Sequence, residues 1–477
     1  MKKTLFIIVQ LQFTVRYLLK TDIYKRLNSL GYKIVILSPN GDDRNFIKEH
    51  FLNNFSFEKL KIEQYQKFSK RILNRFFVQV RRLTLPSKNN ISTIILKEEI
   101  LLNNIKNFKL KSRLFYVFCV AVSRIARKWR IFSKFLVFLE NKFYNKKIHK
   151  ELYKKYRPDA IIINDLGTID SSNFIMREAK SYKAKIISLI LSWDNLTAKG
   201  IGSVKPDYAV AWNKKMAEEL QNYHFVKKEN IYIGGIPHFD SFAKKLDNIK
   251  KIDEKVMNQN KINNFLYFGT GAPAWFTGNI ITIELLLKYI KSYKKEKLKL
   301  VVRPHPSYLA RVKKYDEELS KIVEIVKNNE NNIYLNLPEF IERNIGFEFS
   351  KTDQYLHEYF IRNCKILITS YSTLMLEAAI FDKPVINIGF DNSKKFPEYN
   401  SSIISNRETH LQEVLSNGFA SEAENEEALP NLLNLHLGKP EIGKNKRNEV
   451  FDKYINFNFG RSGKKIAEKI DKYISRQ

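Results

Sequence analysis

Two series of short apolar runs, each alternating with helix-length segments, constrain the fold of this 477-residue chain more than any other feature. A parallel strand buried on both faces is a continuous apolar run, and the helix after it returns the chain to the next strand. Such βαβ repeats predict an α/β protein with mainly parallel sheets. The predicted strands are 5–9, 33–37, 160–163, 186–191, 208–211 and 231–234 in the first series, and 265–268, 298–302, 333–335, 366–369 and 385–388 in the second.

A polar, lysine-rich stretch at 242–264 separates the two series, so we expect a domain boundary there. The first Rossmann-like domain is predicted to span 1–245, with a basic, mostly helical insertion at about 43–150. The second is predicted to span 246–449. The closing segment 450–477 is predicted to form a helix that packs back towards the first domain, which would suit hinge closure of a cleft between the domains.

Cysteine content and the N-terminus predict a cytoplasmic protein. Cys119 and Cys364 are too few for a disulfide framework or a cysteine-rich metal site, and they fit a reducing cytosol. The start MKKTLFIIVQLQF has the charged and apolar parts of a signal peptide, but its apolar run is short and no small-residue cleavage site follows. We therefore interpret it as the first core strand. No apolar stretch reaches about 18 uncharged residues, so no membrane span is predicted.

The formal net charge of +32 is compatible with three partners: nucleic acid, an anionic membrane surface or anionic small substrates. Nucleic acid is not predicted, because zinc-finger spacing and RNP-type aromatic strands are both missing from the sequence. Between Lys109 and Lys150, twelve Lys and Arg residues accompany one acid, Glu140, and alternate with aromatic residues at helical intervals. This pattern is typical of an amphipathic helix on an anionic membrane. The alternative is that the apolar face packs on a neighbouring domain and the basic face meets water.

We use junction for the residues that directly follow a predicted strand. Two junctions of the second series combine conformational freedom with polar side chains. Ligands of open α/β sheets bind beyond the carboxyl ends of the strands. Gly269, Thr270 and Gly271 allow backbone to approach a ligand and its amides to hold a phosphate, although glycine-rich turns are common. Arg303 and His305 lie in the run RPHP, where two prolines stiffen the loop. Both side chains can donate to a diphosphate leaving group, whereas a lone histidine is more often structural.

A third junction, TSYST, carries four serine and threonine hydroxyl groups in five residues ahead of a helix. A helix cap needs one of them, so Ser370, Ser372 and Thr373 are predicted to bind the donor as well as to cap the helix. Glu377 follows one turn later, where its carboxylate would accept from ribose hydroxyls.

A fourth junction, SWDNLTAKG, belongs to the first series and is predicted to face an acceptor. Asp194 is the candidate general base, since attack by a hydroxyl needs a proton acceptor. Trp193 offers a stacking surface and Asn195 a hydrogen bond; the alternative is a structural Asx turn. Asp165 is the reserve base, and Arg16 is a candidate contact for an anionic acceptor.

No metal ion or cofactor is expected. The pair Asp42-Asp43 is the nearest approach to a D-x-D element, and it follows an early strand in an ordinary turn. Cationic and amide donors of the second domain can balance the diphosphate instead.

Taken together, these junctions resemble the GT-B superfamily, and within it the branch of CDP-glycerol glycerophosphotransferases and related surface-polysaccharide transferases. RPHP resembles that family's (R/K)-x-H-P loop, TSYSTLMLEAAIFDKPVI its T-D-Y-S-S segment and IGGIPHFD its G-x-P-R-x-D turn. The ending FGRSGKKIAEKI is similar to the family's tail. The resemblance implies two Rossmann-like domains facing each other across a cleft. It also implies that His305, Ser370, Ser372 and Thr373 hold a donor's diphosphate.

Two departures from the family pattern bear on the donor. The family's W-H-G-T-P-x-K is W-D-N-L-T-A-K here, so Asp194 replaces the catalytic histidine, and His238 stands at the arginine of G-x-P-R-x-D. A carboxylate base is natural for glycosyl transfer. We therefore predict a glycosyltransferase that moves a sugar from a nucleotide-diphosphate donor to a surface-glycan or lipid-linked acceptor. The alternatives are a CDP-polyol phosphotransferase of teichoic-acid type and a nucleotide-sugar 2-epimerase, whose H-x-E-x-G-x-R run is missing.

Overall fold

The computed structural model describes residues 3–11, 14–87, 91–144, 146–243, 262–274, 276–309, 313–343, 346–391 and 407–475. Contacts between Cα atoms divide the chain into two compact units. The first comprises Met1–Ala243, Glu342–Glu348 and Asn456–Gln477, and the second comprises Lys244–Ile341 and Phe349–Ile455. Most of the predicted boundary at 242–264 lies outside the described residues.

The first unit is built on a seven-stranded parallel sheet in the order β3-β2-β1-β4-β5-β6-β7. Its strands form because runs such as AIII and KIISL are apolar and β-branched, and both faces of the sheet are covered. The strands are β1 Thr4–Ile8, β2 Lys33–Ser38, β3 Phe55–Lys59, β4 Ala160–Ile163, β5 Lys185–Leu189, β6 Tyr208–Ala211 and β7 Ile231–Ile233.

Eleven α-helices in the described part of the first unit precede its closing helix, and six of them lie between β3 and β4. They are α1 Asp22–Ser29, α2 Arg44–His50, α3 Ile62–Ser69, α4 Ile72–Arg82, α5 Ser92–Asn104, α6 Leu110–Lys128, α7 Arg130–Phe143, α8 Lys150–Tyr156, α9 Asp170–Ser181, α10 Asn195–Ala198 and α11 Lys214–His224. The helical insertion therefore begins after β3. We expected it to begin at about residue 43, but 55–59 is an edge strand of the main sheet.

Helix α7 is anchored to the unit by the single acid of the basic stretch. Glu140 is fully buried, and its carboxylate accepts from Arg81 Nε at 2.7 Å and pairs with Arg177 Nη2 at 2.6 Å. A buried charge is tolerated only when it is paired in this way. Glu140 therefore neutralises interior arginines and leaves the surface of α7 without an acid.

The second unit is built on a six-stranded parallel sheet in the order β10-β9-β8-β13-β14-β15. A separate two-stranded sheet pairs β11 with β12. The strands are β8 Phe265–Gly269, β9 Lys299–Arg303, β10 Ile333–Leu335, β11 Phe340–Arg343, β12 Gly346–Phe349, β13 Ile366–Thr369, β14 Val385–Ile388 and β15 Ala420–Ala423. The helices are α12 Asn279–Ser292, α13 Lys313–Lys327, α14 Lys351–Asn363, α15 Leu374–Ile380, α16 Thr409–Leu415, α17 Ala428–Gly438 and α18 Lys444–Val450.

The closing helix, α19 Ser462–Ser475, belongs to the first unit and packs on α1. Its Ile466 and Ile470 share a buried core with β1 and α1. Asp240 accepts from the amides of Ser462 at 3.0 Å and Gly463 at 2.8 Å, so the acid of the run IGGIPHFD caps this helix. Helix α19 starts at residue 462 because a π-helical turn, Phe451–Ile455, and a loop precede it; the segment 450–477 is not one helix.

None of the helices in the described part of the chain combines the length and the apolar character that crossing a bilayer requires.

Candidate functional site

The loops after β8, β9 and β13 meet at the topological switch point of the second sheet. From β8 the chain proceeds outward through β9 and β10 on one side, and from β13 through β14 and β15 on the other. Adjacent loops then diverge and leave a crevice at the carboxyl ends, where open α/β sheets bind ligands. Gly269 pairs in register with both Arg303 and Thr369, so the three strands end at one level.

Thr270 joins the loop after β8 to the loop after β9. Its side chain is 3% exposed, and its Oγ1 accepts from the His305 amide at 2.8 Å. Its own amide donates to the Arg303 carbonyl at 3.0 Å. Thr270 therefore holds the two loops together, and it does so from a buried position.

Gly271 brings the loop after β8 against the loop after β13. A Cβ atom added at Gly271 would lie 2.7 Å from Ser370 Oγ and 2.7 Å from Phe276 Cβ, so any side chain here would force the two loops apart. The Gly271 amide donates to Asn279 Oδ1 at 2.8 Å. This glycine is needed for close approach of the loops, and its amide is already bonded within the protein.

His305 is neutral and has a defined tautomer. Its Nδ1 accepts from the Ser307 amide at 3.1 Å and lies 2.7 Å from Ser307 Oγ. An amide can only donate, so Nδ1 carries the lone pair and Nε2 carries the proton. Burial lowers the pKa of His305 to about 4, which keeps the ring neutral at pH 7. Within the described residues Nε2 has no hydrogen-bond partner, so its N–H can donate to a ligand.

Arg303 is engaged inside the unit, although we expected it to face a ligand. The residue is 7% exposed, and its Nη1 and Nη2 donate to Asp353 at 3.1 and 2.7 Å. Nη1 also donates to Asn336 Oδ1 at 2.6 Å. This pairing ties the end of β9 to α14 and the β10 end, and it positions the loop that carries His305.

The TSYST segment turns sharply at Tyr371. This residue has a φ of +46°, in the left-handed region that non-glycine residues rarely adopt. Its amide donates to Asn387 Oδ1 at 2.8 Å and its hydroxyl to Glu422 Oε1 at 2.9 Å, which stabilises the turn. Backbone strain of this kind concentrates at functional sites. Ser370 before the turn is 7% exposed, and Ser372 after it is half-buried.

The hydroxyls after the turn also serve the helix. Ser372 Oγ accepts from the Leu374 amide at 3.3 Å, and Thr373 is the N-cap residue of α15. Glu377, one turn into α15, is buried, and its Oε2 lies 2.8 Å from His357 Nε2. His357 Nδ1 lies 3.2 Å from the hydroxyl of Tyr267 on β8. Glu377 thus belongs to a buried chain of polar groups beneath the three loops.

In the first unit, Asp194 is the N-cap residue of the short helix α10, after β5. Its carboxylate is 25% exposed and lies 3.8 Å from Lys199 Nζ. Trp193 is buried, and Asn195 is half-buried. Asp194 thus remains accessible to solvent.

Asp165 and Arg16 follow β4 and β1, which flank the switch point of the first sheet. Asp165 is buried, and its carboxylate accepts from the amides of Gly167 and Thr168 and from Ser172 Oγ. Burial raises its pKa, and these hydrogen bonds oppose the rise. Its bonding pattern is that of a residue that shapes its own loop.

His238, at the family's arginine position, is also buried, and its ring centroid lies 3.9 Å from that of Tyr17. Burial, and secondarily the charge of Arg16, lowers its pKa well below the usual value. A neutral ring in tilted contact with Tyr17 therefore stands where the family pattern has a cation.

A single group of potential metal ligands occurs among the described residues: Glu49, His50 and Glu348 in the first unit. Lys20 Nζ lies 2.8 Å from Glu348 Oε1 and already provides a cation. The group lies outside the strand-end loops discussed above, so the metal independence of the reaction stays a prediction.

Solved structures with similar folds include several UDP-N-acetylglucosamine 2-epimerases. A putative enzyme from Listeria monocytogenes has a TM-score of 0.55 at 12% identity and covers 100% of this chain and 98% of that one. The enzyme from Neisseria meningitidis bound to UDP-GlcNAc has a TM-score of 0.53 at 11% identity, with 100% of each chain covered. At such identities the likeness shows the fold alone, and it confirms the predicted fold class, GT-B.

No curated protein matches the chain in sequence. The family model described as CDP-Glycerol:Poly(glycerophosphate) glycerophosphotransferase matches residues 202–472, more than half of the 477 residues. This match includes the RPHP loop, the TSYST turn and Asp240, and it excludes Asp194. The chain therefore belongs to the CDP-Glycerol:Poly(glycerophosphate) glycerophosphotransferase family and is, at that level, a transferase that uses a nucleotide-linked donor.

Proposed function

We propose that this protein transfers a sugar from a nucleotide-diphosphate donor whose diphosphate binds to the loops after β8, β9 and β13. The observation that carries the proposal is the tautomer of His305. A neutral ring with a proton on Nε2, which has no partner in the described part of the chain, is a fixed hydrogen-bond donor at the switch point.

The reaction requires hydrogen-bond donors whose interaction with the diphosphate becomes stronger as negative charge develops on it. When the bond to the donor group breaks, the nucleoside diphosphate gains negative charge, and preorganised donors stabilise that charge. His305 Nε2–H and the hydroxyls of Ser370, Ser372 and Thr373 are the proposed donors. Gly269 and Gly271 let the backbone come close to the diphosphate. Arg303 and Glu377 are assigned supporting roles, because their charged groups are already paired with Asp353 and His357.

Asp194 is the proposed general base, and it favours a sugar as the transferred group. Its partly exposed carboxylate can accept the proton of an attacking hydroxyl. Trp193 and Asn195 would line the acceptor side. A polyol phosphate remains the second candidate for the transferred group, supported by the family match, since that family is described by transfer of glycerophosphate from CDP-glycerol. The 2-epimerase alternative has only the fold in its support.

We further propose that the reaction takes place at an anionic membrane surface, with a lipid-linked or surface-glycan acceptor. Of the seventeen large apolar side chains exposed among the described residues, eleven lie between Phe108 and Phe143. Ile131 is 85% exposed, Leu110 70% and Trp129 67%. Exposed apolar clusters of this size indicate an interaction surface, and the surrounding lysines and arginines favour anionic lipid.

A transfer assay with four radiolabelled donor classes tests the proposal. CDP-, UDP-, GDP- and TDP-linked sugars, together with CDP-glycerol, are incubated with the protein with and without EDTA. We expect release of label from one nucleotide-sugar class, with unchanged rate in EDTA. Turnover of CDP-glycerol alone would establish the second candidate, loss of activity on chelation would contradict metal independence, and interconversion of free nucleotide sugars would indicate an epimerase.

A further inference from the structure

A cavity of about 260 Å³ lies in the first unit beside the basic helices. Helix α7, the loop 201–206 and the end of α11 form its walls. The walls are mainly apolar, with Val137, Leu166, Ile201 and Phe225 among the lining residues. An apolar cavity of this kind favours an apolar ligand, because transfer of apolar surface out of water is favourable.

The open side of the cavity is cationic. Of the lining residues, Lys134 and Lys205 are the exposed ones, so they mark the mouth. Within the described residues, neither lysine is paired with a carboxylate. Arg130 Cζ and Lys134 Nζ lie 4.6 and 5.0 Å from the centroid of the Phe225 ring. Two cations against one ring repel each other, and an anion at the mouth relieves that repulsion.

Besides the two exposed lysines, the buried side chain of His224 lines the cavity, and this residue is 5% exposed. Its Nε2 lies 2.9 Å from the Leu196 carbonyl, which can only accept, so Nε2 carries the proton. Its Nδ1 is buried and has no hydrogen-bond partner among the described residues. Buried acceptors in native proteins are usually satisfied by protein, water or ligand. Nδ1 is inaccessible to a group the size of water, so the cavity wall remains mainly apolar at His224.

We propose that this cavity binds an apolar chain of one phosphate-bearing lipid, whose phosphate pairs with Lys134 and Lys205. At about 30 Å³ for a group the size of a water molecule, the cavity holds roughly eight such groups, which is a segment of a lipid chain. The surface of α7 that flanks Lys134 displays Ile131, Phe135 and Phe138, each at least half exposed, so a lipid source would adjoin the mouth. The site is independent of the donor loops, and nucleoside diphosphate binding serves as a control for its variants.

The test is calorimetric titration of the full chain with dioctanoyl phosphatidic acid kept monomeric, below its micelle concentration. Dioctanoylglycerol lacks the phosphate, and inorganic phosphate lacks the chains. Val137→Phe fills the cavity from α7. The double variant Lys134→Gln/Lys205→Gln removes the charges of two exposed residues without disturbing the core, and Lys142→Gln is the matched charge control on the same helix.

We expect saturable one-to-one binding of phosphatidic acid, weakened roughly tenfold or more by Val137→Phe and by the double lysine variant, and unchanged in Lys142→Gln. Dioctanoylglycerol should bind more weakly, and inorganic phosphate should not compete at similar concentrations. Absence of saturable binding, or equal binding to all variants, would overturn the proposal. If inorganic phosphate bound as tightly as the lipid, the mouth would be a simple anion site and the proposed binding of a lipid chain would be wrong. If the protein bound anionic vesicles but not the monomeric lipid, membrane binding would be explained by the helix surface alone and the cavity proposal would be wrong.

Discussion

At the scale of single residues, the protonation of His305 decides what its ring can do. A doubly protonated ring would lose the hydrogen bond from the Ser307 amide, and an Nδ1–H tautomer would clash with that amide. Burial and this backbone contact therefore act in the same direction, towards a neutral Nε2–H donor. His305 is thus suited to stabilise charge on a leaving group, rather than to act as a general base.

The base is predicted to be Asp194 in the first unit. Asp194→Asn keeps the shape of the side chain and removes its basicity, so transfer should fall about 10²–10⁴-fold while donor binding is retained. Single-turnover rates and donor affinity measure the two effects separately. Asp165→Asn is the comparison: its carboxylate is buried among loop amides, so we expect it to lower stability. Normal turnover of Asp194→Asn together with inactive but folded Asp165→Asn would reverse the assignment.

The sequence predicts where the polar residues of the site lie in the fold better than it predicts what each of them does. The positions of Arg303, at the end of β9, and of Glu377, one turn into α15, are predicted from the residues that follow apolar runs. Their partners, Asp353 and His357, lie on a helix whose position depends on tertiary packing. A guanidinium or carboxylate that suits a ligand equally suits an internal ion pair, and only the three-dimensional neighbours distinguish them. The contacts of Ser307 with His305 and of Asn387 with Tyr371 could not be predicted either, because they too depend on three-dimensional neighbours.

At the scale of elements, eleven strands are predicted at or near their observed positions because they read as apolar runs. Nine of them are central strands of the two main sheets, and the other two, β7 and β10, lie at sheet edges. The strands missed in the two main sheets are β3, FSFEK, and β15, ASEA. Both lie at the edges of their sheets, where one neighbour is missing and polar residues are tolerated. Apolar runs therefore predict every central strand of the two main sheets but miss two of their four edge strands.

The helices α6 and α7 are expected to bring the protein to anionic membranes. Phe135→Ser/Phe138→Ser removes two exposed aromatic side chains without touching the core, so sedimentation with anionic vesicles should fall several-fold. Leu435→Ser, an exposed apolar residue in the second unit, is the control. Equal and low sedimentation with anionic and neutral vesicles would instead make these helices a solvated pair.

At the scale of the whole molecule, four histidines with lowered pKa values link stability to pH. Burial lowers the pKa of His224 to about 4, and also lowers the values of His238, His305 and His436. The unfolded chain takes up protons below about pH 6.5 that the folded chain excludes, so the free energy of unfolding falls as pH falls from 6.5 towards 4. His224 alone contributes a loss of about 2 kcal/mol by pH 5.

Denaturant unfolding between pH 7.5 and pH 5 measures this dependence. His224→Gln keeps a donor for the Leu196 carbonyl and removes the titration, so its curve should be less steep than that of the wild type. A free energy of unfolding that rises on acidification over this range would contradict the account.

The central claim is that the second unit binds the diphosphate of a nucleotide-linked donor through His305. Isothermal titration of CDP, UDP, GDP and TDP into the wild type, His305→Ala and His436→Gln tests it most directly, with EDTA present throughout. His436 is buried in the same unit and bonded to Ser421, so it controls for loss of a histidine. We expect one nucleoside diphosphate to bind one-to-one, with affinity reduced about 10–100-fold in His305→Ala and unchanged in His436→Gln. Wild-type affinity in a folded His305→Ala variant, or no binding of any nucleoside diphosphate, would contradict the claim.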